Sequence, residues 1–108
     1  MRVLLDENLP HTLRRLFEDS VEVVTVSYKG WRGKTNGELL YMAIADEFDA
    51  FITMDGSIPY QQNLEAIQIG IILLTANSNR EEDLAPLIPQ VNTILKTLKK
   101  GEILTVGT

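Results

Sequence analysis

The sequence predicts an α/β fold with a mainly parallel sheet of four to five strands, arranged as a three-layer α/β/α sandwich. Short, almost continuous apolar runs recur along the chain, helical patterns separate them, and no repeat, linker or low-complexity tract interrupts the 108 residues. Such strands separated by helices are typical of parallel sheets covered on both faces. A chain of this length fits one domain, residues 1–108.

The first half of the chain predicts three strands and two helices. The strands are the apolar or β-branched runs at residues 2–5, 21–26 and 50–54. The first helix begins near residue 8, and its apolar residues recur at helical spacing as far as Phe17. The second helix runs from about residue 35 to residue 47, after a polar, glycine-bearing loop at 27–34.

The second half predicts a fourth strand at 69–75 and a last helix. Pro86 and Pro89 lack a backbone N–H, so this helix is expected to start irregularly. Its end is expected at the two lysines and the glycine of 99–101, a typical C-terminal signal. Residues 102–106 would then add a short edge strand.

Composition excludes several classes of protein. The chain has no cysteine, which removes disulfide frameworks, thiol nucleophiles and cysteine-ligated zinc sites. Its apolar runs are much shorter than the ~20 residues that cross a bilayer, and no signal peptide is visible, so we expect a cytoplasmic protein without a membrane partner. The net charge of −5 argues against non-specific capture of nucleic acid, unless acids cluster around a divalent cation.

Two aspartates directly follow strands of the predicted sheet. Asp6 ends the first strand and Asp55 follows the third. In a 2-1-3-4 order those strands are neighbours where the strand order reverses, and open parallel sheets bind ligands beyond the carboxyl ends of their strands there. Glu38 begins the helix after the second strand, so we expect it at the same edge. The amide side chains that can project there belong to Asn8, Asn36 and Asn77.

These oxygen-bearing side chains predict a divalent metal site. Carboxylates gathered without a cation repel one another and raise one another's pKa values, whereas Mg²⁺ or Mn²⁺ prefers oxygen ligands and relieves the repulsion. A shallow magnesium site that keeps its waters suits a phosphodiester substrate, which metal-activated water would hydrolyse. The predicted metal ligands and catalytic residues are Asp6, Glu38 and Asp55.

Three segments carry a family resemblance: residues 3–10, 36–40 and 52–55. They look like PIN-like proteins, and more narrowly like the small stand-alone bacterial PIN-like family of unknown function. The similarity covers nearly the whole chain and includes the 30–33 loop and the 74–80 segment. It implies a PIN-like, metal-dependent ribonuclease fold, often that of the toxin in a toxin–antitoxin pair, with an RNA substrate and an antitoxin-like protein partner.

The resemblance matches Asp6 to the acid after the first strand, and Glu38 and Asp55 to the two later acids. Larger PIN domains carry a further acid on helices between strands one and two, and this short chain has no room for those helices. Glu7 could partly substitute for that carboxylate. The supporting residues implied for the site are Glu7, Asn8, Asn36 and Asn77.

Each acid also has a structural explanation that the sequence leaves open. Asp6 could simply end its strand, and Asp55 could belong to a plain turn. Thr35 and Glu38 have the spacing of a capping box, in which Glu38 bonds back to the N-cap backbone. In the same way, the spacing of Ser78 and Glu81 favours a capping role for residues 77–79.

Basic residues in the loop before the second helix and at position 80 could form a rim for RNA phosphates, with Trp31 or Tyr60 as a stacking face for an unpaired base. Exposed cations are more often simply solvated, and that alternative stays open. The predicted nucleic-acid-binding residues are Arg32, Lys34 and Arg80.

The leading hypothesis is a metal-dependent endoribonuclease in which water is the nucleophile. The alternative is a non-catalytic PIN-like interaction module that binds a protein partner, and a homodimer is a further partner compatible with the sequence. A flavodoxin-like phosphate receiver also uses acids at this sheet edge, although the lysine expected after its late strand is missing here. Phosphorylation of Asp55 would be the test of that third hypothesis.

Overall fold

A single parallel sheet organises residues 1–58 and 67–107, the part of the chain that the computed structural model describes. Within these residues the sheet has five strands in the order β2-β1-β3-β4-β5, and every neighbouring pair is parallel. The predicted α/β class and mainly parallel sheet of four to five strands are confirmed. The strands are β1 Arg2–Leu5, β2 Glu22–Thr25, β3 Ala50–Thr53, β4 Gly70–Thr75 and β5 Ile103–Gly107.

The strand order reverses between β1 and β3. The chain places β2 on one side of β1, and β3 with the later strands on the other side. The predicted 2-1-3-4 order is therefore confirmed. The pairing continues just past β1, since the Asp6 N–H donates to the Ile52 carbonyl oxygen at 2.9 Å. The residues that follow β1 and β3 consequently lie side by side at the carboxyl edge of the sheet.

The first predicted helix forms as a 3₁₀ helix, His11–Leu16, instead of an α-helix. Pro10 at its N-cap offers no side-chain hydrogen bond to the first N–H groups, and at its end the Phe17 N–H bonds back three residues to the Arg14 oxygen. Such short i to i+3 turns replace α-helix where a segment is brief and poorly capped. The second predicted helix is confirmed, as α1, Asn36–Ala45.

The C-terminal helical region is interrupted, as its two prolines predict. It consists of α2, Glu81–Leu84, a second 3₁₀ helix, Ala85–Leu87, and α3, Ile88–Leu95. The predicted helix end at 99–101 is wrong, because α3 stops at Leu95 and hydrogen-bonded turns follow. Gly101 has φ +85°, a left-handed conformation that suits glycine in the turn before β5.

The buried side chains form two apolar clusters. Successive residues of a strand point to opposite faces of the sheet, so residues next to each other in a strand belong to different clusters. One cluster combines Val3, Leu5 and Ile52 with side chains of the first 3₁₀ helix and the C-terminal helices. The other combines Leu4 and Phe51 with side chains of α1. Burying one such large side chain contributes about 1.5–3 kcal/mol. Among the described residues no helix is long and apolar enough to span a membrane.

Candidate metal and phosphate site

A cleft of about 760 Å³ opens at the carboxyl edge of the sheet, beyond β1 and β3 and beside the start of α1. It lies where the reversal of strand order predicts a ligand site. Most of its lining side chains are polar, and the apolar side chain of Leu39 also contributes. The lining residues are Asp6, Glu7, Asn8, Lys34, Thr35, Asn36, Gly37, Leu39 and Asp55.

Asp6 is a buried carboxylate in the cleft, with 6% of its surface exposed. Its Oδ2 accepts a 2.6 Å hydrogen bond from the Thr53 hydroxyl, and its Oδ1 accepts a 2.8 Å bond from the Glu7 N–H. Burial raises the pKa of Asp6; these two hydrogen bonds oppose the shift, and the nearby Glu7 and Asp55 charges add to it. A cation beside Asp6 would favour its ionised form.

Asp55 lies in the same cleft in a more open and more strongly hydrogen-bonded setting. Its Oδ1 accepts bonds from the Ser57 hydroxyl at 2.6 Å and the Ser57 N–H at 3.0 Å, and its Oδ2 accepts from Asn36 Nδ2 at 2.6 Å. These donors lower the pKa of Asp55. The two aspartates therefore have pKa values shifted in opposite directions by their surroundings.

Thr53 joins the two aspartates, a role that the sequence analysis missed. Its Oγ1 donates to Asp6 and accepts from the Asp55 N–H at 3.0 Å. The side chain is fully buried at the end of β3. The available signal was a hydroxyl residue inside an otherwise apolar strand, two positions before Asp55, since alternation puts residues two apart on the same face.

The amide side chains of the cleft supply further oxygen. The Oδ1 atom of Asn8 is buried and has no hydrogen-bond partner within residues 1–58 and 67–107. Buried polar oxygens are nearly always paired, so an unpaired one on a residue that lines the same cleft as two aspartates fits an electropositive ligand. The backbone oxygen of Asn8 accepts from Asn79 Nδ2 at 3.0 Å, which ties this loop to the segment after β4.

Glu38 lies in the first turn of α1, as predicted, but its carboxylate caps the helix and does not line the cleft. Glu38 and Thr35 form a complete capping box: Thr35 Oγ1 accepts from the Glu38 N–H at 3.2 Å, and Glu38 Oε1 accepts from the Thr35 N–H at 3.0 Å. These bonds lower the pKa of Glu38. Glu38 is not among the residues that line the cleft, although Thr35, whose N–H it binds, is one of them.

Glu7 lies in the cleft lining but binds the loop before α1. Its Oε1 accepts from the Gly33 N–H at 3.2 Å, and its Oε2 lies 3.6 Å from the Arg32 Nε. Gly33 has φ +80°, so this turn depends on glycine. Glu7 thus connects the residue after Asp6 to the loop that leads into α1.

The predicted residues near position 80 do not reach the cleft. Arg80 lies 3.1 Å from Glu82 and 4.0 Å from Asp83, and Asn77 is exposed without lining the cleft. The capping box predicted for Ser78 is wrong: Arg80 is the N-cap of α2, and the Ser78 hydroxyl bonds the Arg80 N–H and the Asp83 carboxylate. Lys34 does line the cleft, and Tyr60 lies outside the described residues.

The donor set fits a hard divalent cation with few protein ligands. Across the described ranges no three acidic or histidine side chains are grouped closely enough to form a complete cage. Mg²⁺ commonly takes only one or two protein carboxylates and keeps several waters. Asp6, Asp55 and the unpaired Asn8 Oδ1 match that requirement, and they supply none of the sulfur or imidazole ligands of a closed zinc site.

Comparison with known proteins adds no relative. No family model matches the chain, and no similar curated protein or similar solved structure was found. The PIN-like resemblance therefore stays a prediction from the sequence.

Proposed function

We propose that the protein is a metal-dependent endoribonuclease of the PIN-like type, with Asp6 and Asp55 as the carboxylate ligands of one Mg²⁺ or Mn²⁺. The observation that carries the proposal is that the buried Thr53 hydroxyl binds both aspartates at one cleft: it donates to the Asp6 carboxylate and accepts from the Asp55 backbone N–H. Glu38, whose carboxylate caps α1, is left out of the ligand set. Asn8 completes the protein ligands with its amide oxygen.

A bound divalent cation would lower the pKa of a water molecule and neutralise charge on the phosphate during hydrolysis. The chain's own residues prepare the cleft for this chemistry. Thr53 and the Glu7 N–H hold the Asp6 carboxylate in one orientation, while Ser57 and Asn36 do the same for Asp55. Ligands fixed in this way lose little freedom when they bind.

The same proposal includes the finer predictions about fold and biological role. The two apolar clusters, one on the C-terminal helices and one on α1, support a three-layer PIN-like sandwich. We propose the role of a toxin in a toxin–antitoxin pair, with RNA as the substrate and an antitoxin-like protein as the partner.

The test is cleavage of an end-labelled single-stranded RNA with Mg²⁺ or Mn²⁺. The wild type is compared with the double variant Asp6→Asn, Asp55→Asn and with Asp19→Asn, an equal chemical change in an exposed turn. We expect cleavage by wild type and Asp19→Asn and none above background by the double variant. Equal cleavage by all three would point to a contaminating nuclease and reject the proposal.

A second candidate is the non-catalytic interaction module that binds a protein partner. The observation that favours it is the use of Glu38 for helix capping, which leaves Asp6 and Asp55 as the proposed ligands, since Glu7 also lines the cleft but binds the loop before α1. Calorimetry separates the candidates. A wild type that binds neither Mg²⁺ nor Mn²⁺ and cleaves no RNA, yet forms a stoichiometric complex with an adjacently encoded protein, would support the module.

A further inference from the structure

Lys34 is a positively charged side chain at the cleft, and hydrogen bonds hold the residues on both sides of it. We propose that Lys34 binds the phosphate of the RNA strand beside Asp6 and Asp55, and that Glu7 is a positioning residue which fixes the loop carrying Lys34. This inference rests on the proposed function of the cleft. It assigns the charge that recognises the substrate to one side chain.

Lys34 differs from the other two predicted RNA-binding cations. Arg32 lies 3.6 Å from the Glu7 carboxylate, and Arg80 lies 3.1 Å from Glu82. In the described ranges 1–58 and 67–107, Lys34 has no carboxylate oxygen within ion-pair distance, although its charge helps to lower the pKa of Glu38. Of the three, Lys34 is also the one that lines the cleft.

The backbone on each side of Lys34 is held by a carboxylate. Before it, the Gly33 N–H donates to Glu7 at 3.2 Å; after it, the Thr35 N–H donates to Glu38 at 3.0 Å. An exposed lysine on a loose loop would lose much conformational entropy on binding. Here two hydrogen bonds already hold the main chain, so less conformational entropy is lost when the Lys34 ammonium group binds a phosphate.

The acidic lining of the cleft favours a nearby positive charge that can attract a phosphate. Asp6, Glu7 and Asp55 all contribute carboxylates to the lining, and a phosphate approaching them is repelled unless cations compensate. The N-terminus of α1, at Asn36 and Gly37, also lines the cleft and adds the partial positive charge of a helix start. Lys34 lies two positions before the first residue of this helix and adds a full charge at the same place.

The experiment compares Lys34→Met, Lys34→Arg and the control Lys100→Met, an exposed lysine in the turn before β5 at the opposite sheet edge. Single-stranded RNA cleavage with Mn²⁺ gives kcat and KM, fluorescence anisotropy gives RNA affinity, and calorimetry gives Mn²⁺ affinity. For Lys34→Met we expect KM and the RNA Kd to rise about tenfold, as for loss of one charged hydrogen bond. The salt slope of log affinity should fall by about 0.7.

Lys34→Arg should recover most of the affinity, Lys100→Met should match wild type, and Mn²⁺ affinity should be unchanged in all three. Glu7→Gln keeps an acceptor for the Gly33 N–H, whereas Glu7→Ala removes it. The positioning role predicts a higher KM for Glu7→Ala than for Glu7→Gln, with Mn²⁺ affinity changed equally by the two substitutions.

Two failures are distinguishable. If wild type binds Mn²⁺ and cleaves RNA but Lys34→Met has the KM, RNA affinity and salt slope of wild type, the role of Lys34 is rejected and the nuclease proposal stands. If wild type binds no Mn²⁺ and cleaves no RNA, the proposed function fails and this inference fails with it.

Discussion

The Thr53 hydroxyl donates a 2.6 Å hydrogen bond to the Asp6 carboxylate from the neighbouring strand. The two residues are 47 positions apart in the chain, and parallel pairing of β1 with β3 brings them together. The same hydroxyl oxygen accepts from the Asp55 N–H. One buried side chain therefore orients the Asp6 carboxylate and fixes the main chain at Asp55.

Replacing Thr53 with valine should destabilise the protein at neutral pH by about 1–3 kcal/mol, because the buried Asp6 carboxylate loses a donor. The pKa of Asp6 should rise further, since the Thr53 bond opposes the effect of burial. Urea unfolding and NMR titration of the carboxyl carbon measure the two effects. The control is Thr93→Val at an exposed position of α3; an equal loss in both variants would contradict the prediction.

The pKa of Asp6 also sets a pH dependence of stability in metal-free protein. Because the folded-state pKa is raised, the native state binds more protons than the unfolded state between the ordinary value of 3.8 and the raised value. This contribution to stability is complete below 3.8 and is lost as pH rises through the folded pKa. Asp55, with a lowered pKa, contributes in the opposite direction.

Asp6→Asn should therefore gain stability relative to wild type as the pH rises from 3.8 upward, and the gain should level off above the folded pKa of Asp6. The Asp55 contribution is common to both proteins and cancels in the comparison. Urea unfolding with a chelator present, at a series of pH values, gives the difference directly. Parallel curves for the two proteins would show that Asp6 does not titrate as its burial requires.

The affinity for a divalent cation should also depend on the ionisation of Asp6. It should rise with pH over the range in which the Asp6 contribution to stability falls. A metal requires ionised Asp6, so Mn²⁺ binding should strengthen with pH through the raised pKa and then become constant. Below that plateau binding should release protons. Calorimetry in two buffers of different ionisation enthalpy counts those protons, and binding with no proton release at any pH would contradict Asp6 as a ligand.

The strands and their order were predictable because their signals are local or topological. Apolar runs fix the strands, and the rule on strand reversal places Asp6 and Asp55 at one edge. The direction of Glu38 was not predictable, because a capping box and a metal ligand use the same residue types at a helix start. Only the helix phase separates them, and a shift of one residue turns a side chain by about 100°.

The role of Thr53 and the type of the first helix were also not predictable from local sequence patterns. The link from Thr53 to Asp6 depends on the register between β1 and β3, which no local pattern contains. The apolar spacing at residues 9–17 suits either helix type, and the choice depended on the absence of a capping side chain at Pro10.

Because Glu38 caps α1, we expect changes to the capping box to affect stability and to leave metal binding and RNA cleavage unchanged. Glu38→Gln should keep Mn²⁺ affinity and RNA cleavage, since glutamine at this position also completes a capping box. Thr35→Ala should cost about 1 kcal/mol of stability, because it removes the acceptor for the Glu38 N–H. Metal titration and thermal unfolding of both variants provide the measurements. A large loss of Mn²⁺ affinity in Glu38→Gln would return Glu38 to the ligand set.

Asn36 is the amide neighbour of Asp55 in the cleft. Its Nδ2 lies 2.6 Å from Asp55 Oδ2, so Asn36→Asp would put two carboxylates in contact. Without metal their repulsion should raise the pKa of Asp55 and lower stability above that pKa. With Mn²⁺ the added charge should raise metal affinity, so the stability gained on saturation should exceed that of wild type.

Asn36→Ala separates charge from loss of the hydrogen bond, because it removes the Asp55 partner without adding an acid. Thermal unfolding with chelator and with saturating Mn²⁺, together with calorimetry, gives all the required values. We expect the order of Mn²⁺ affinity to be Asn36→Asp, then wild type, with Asn36→Ala below. If the aspartate variant bound Mn²⁺ no better than the alanine variant, the cation would not lie between residues 36 and 55, and Asp55 would lose its place as a ligand.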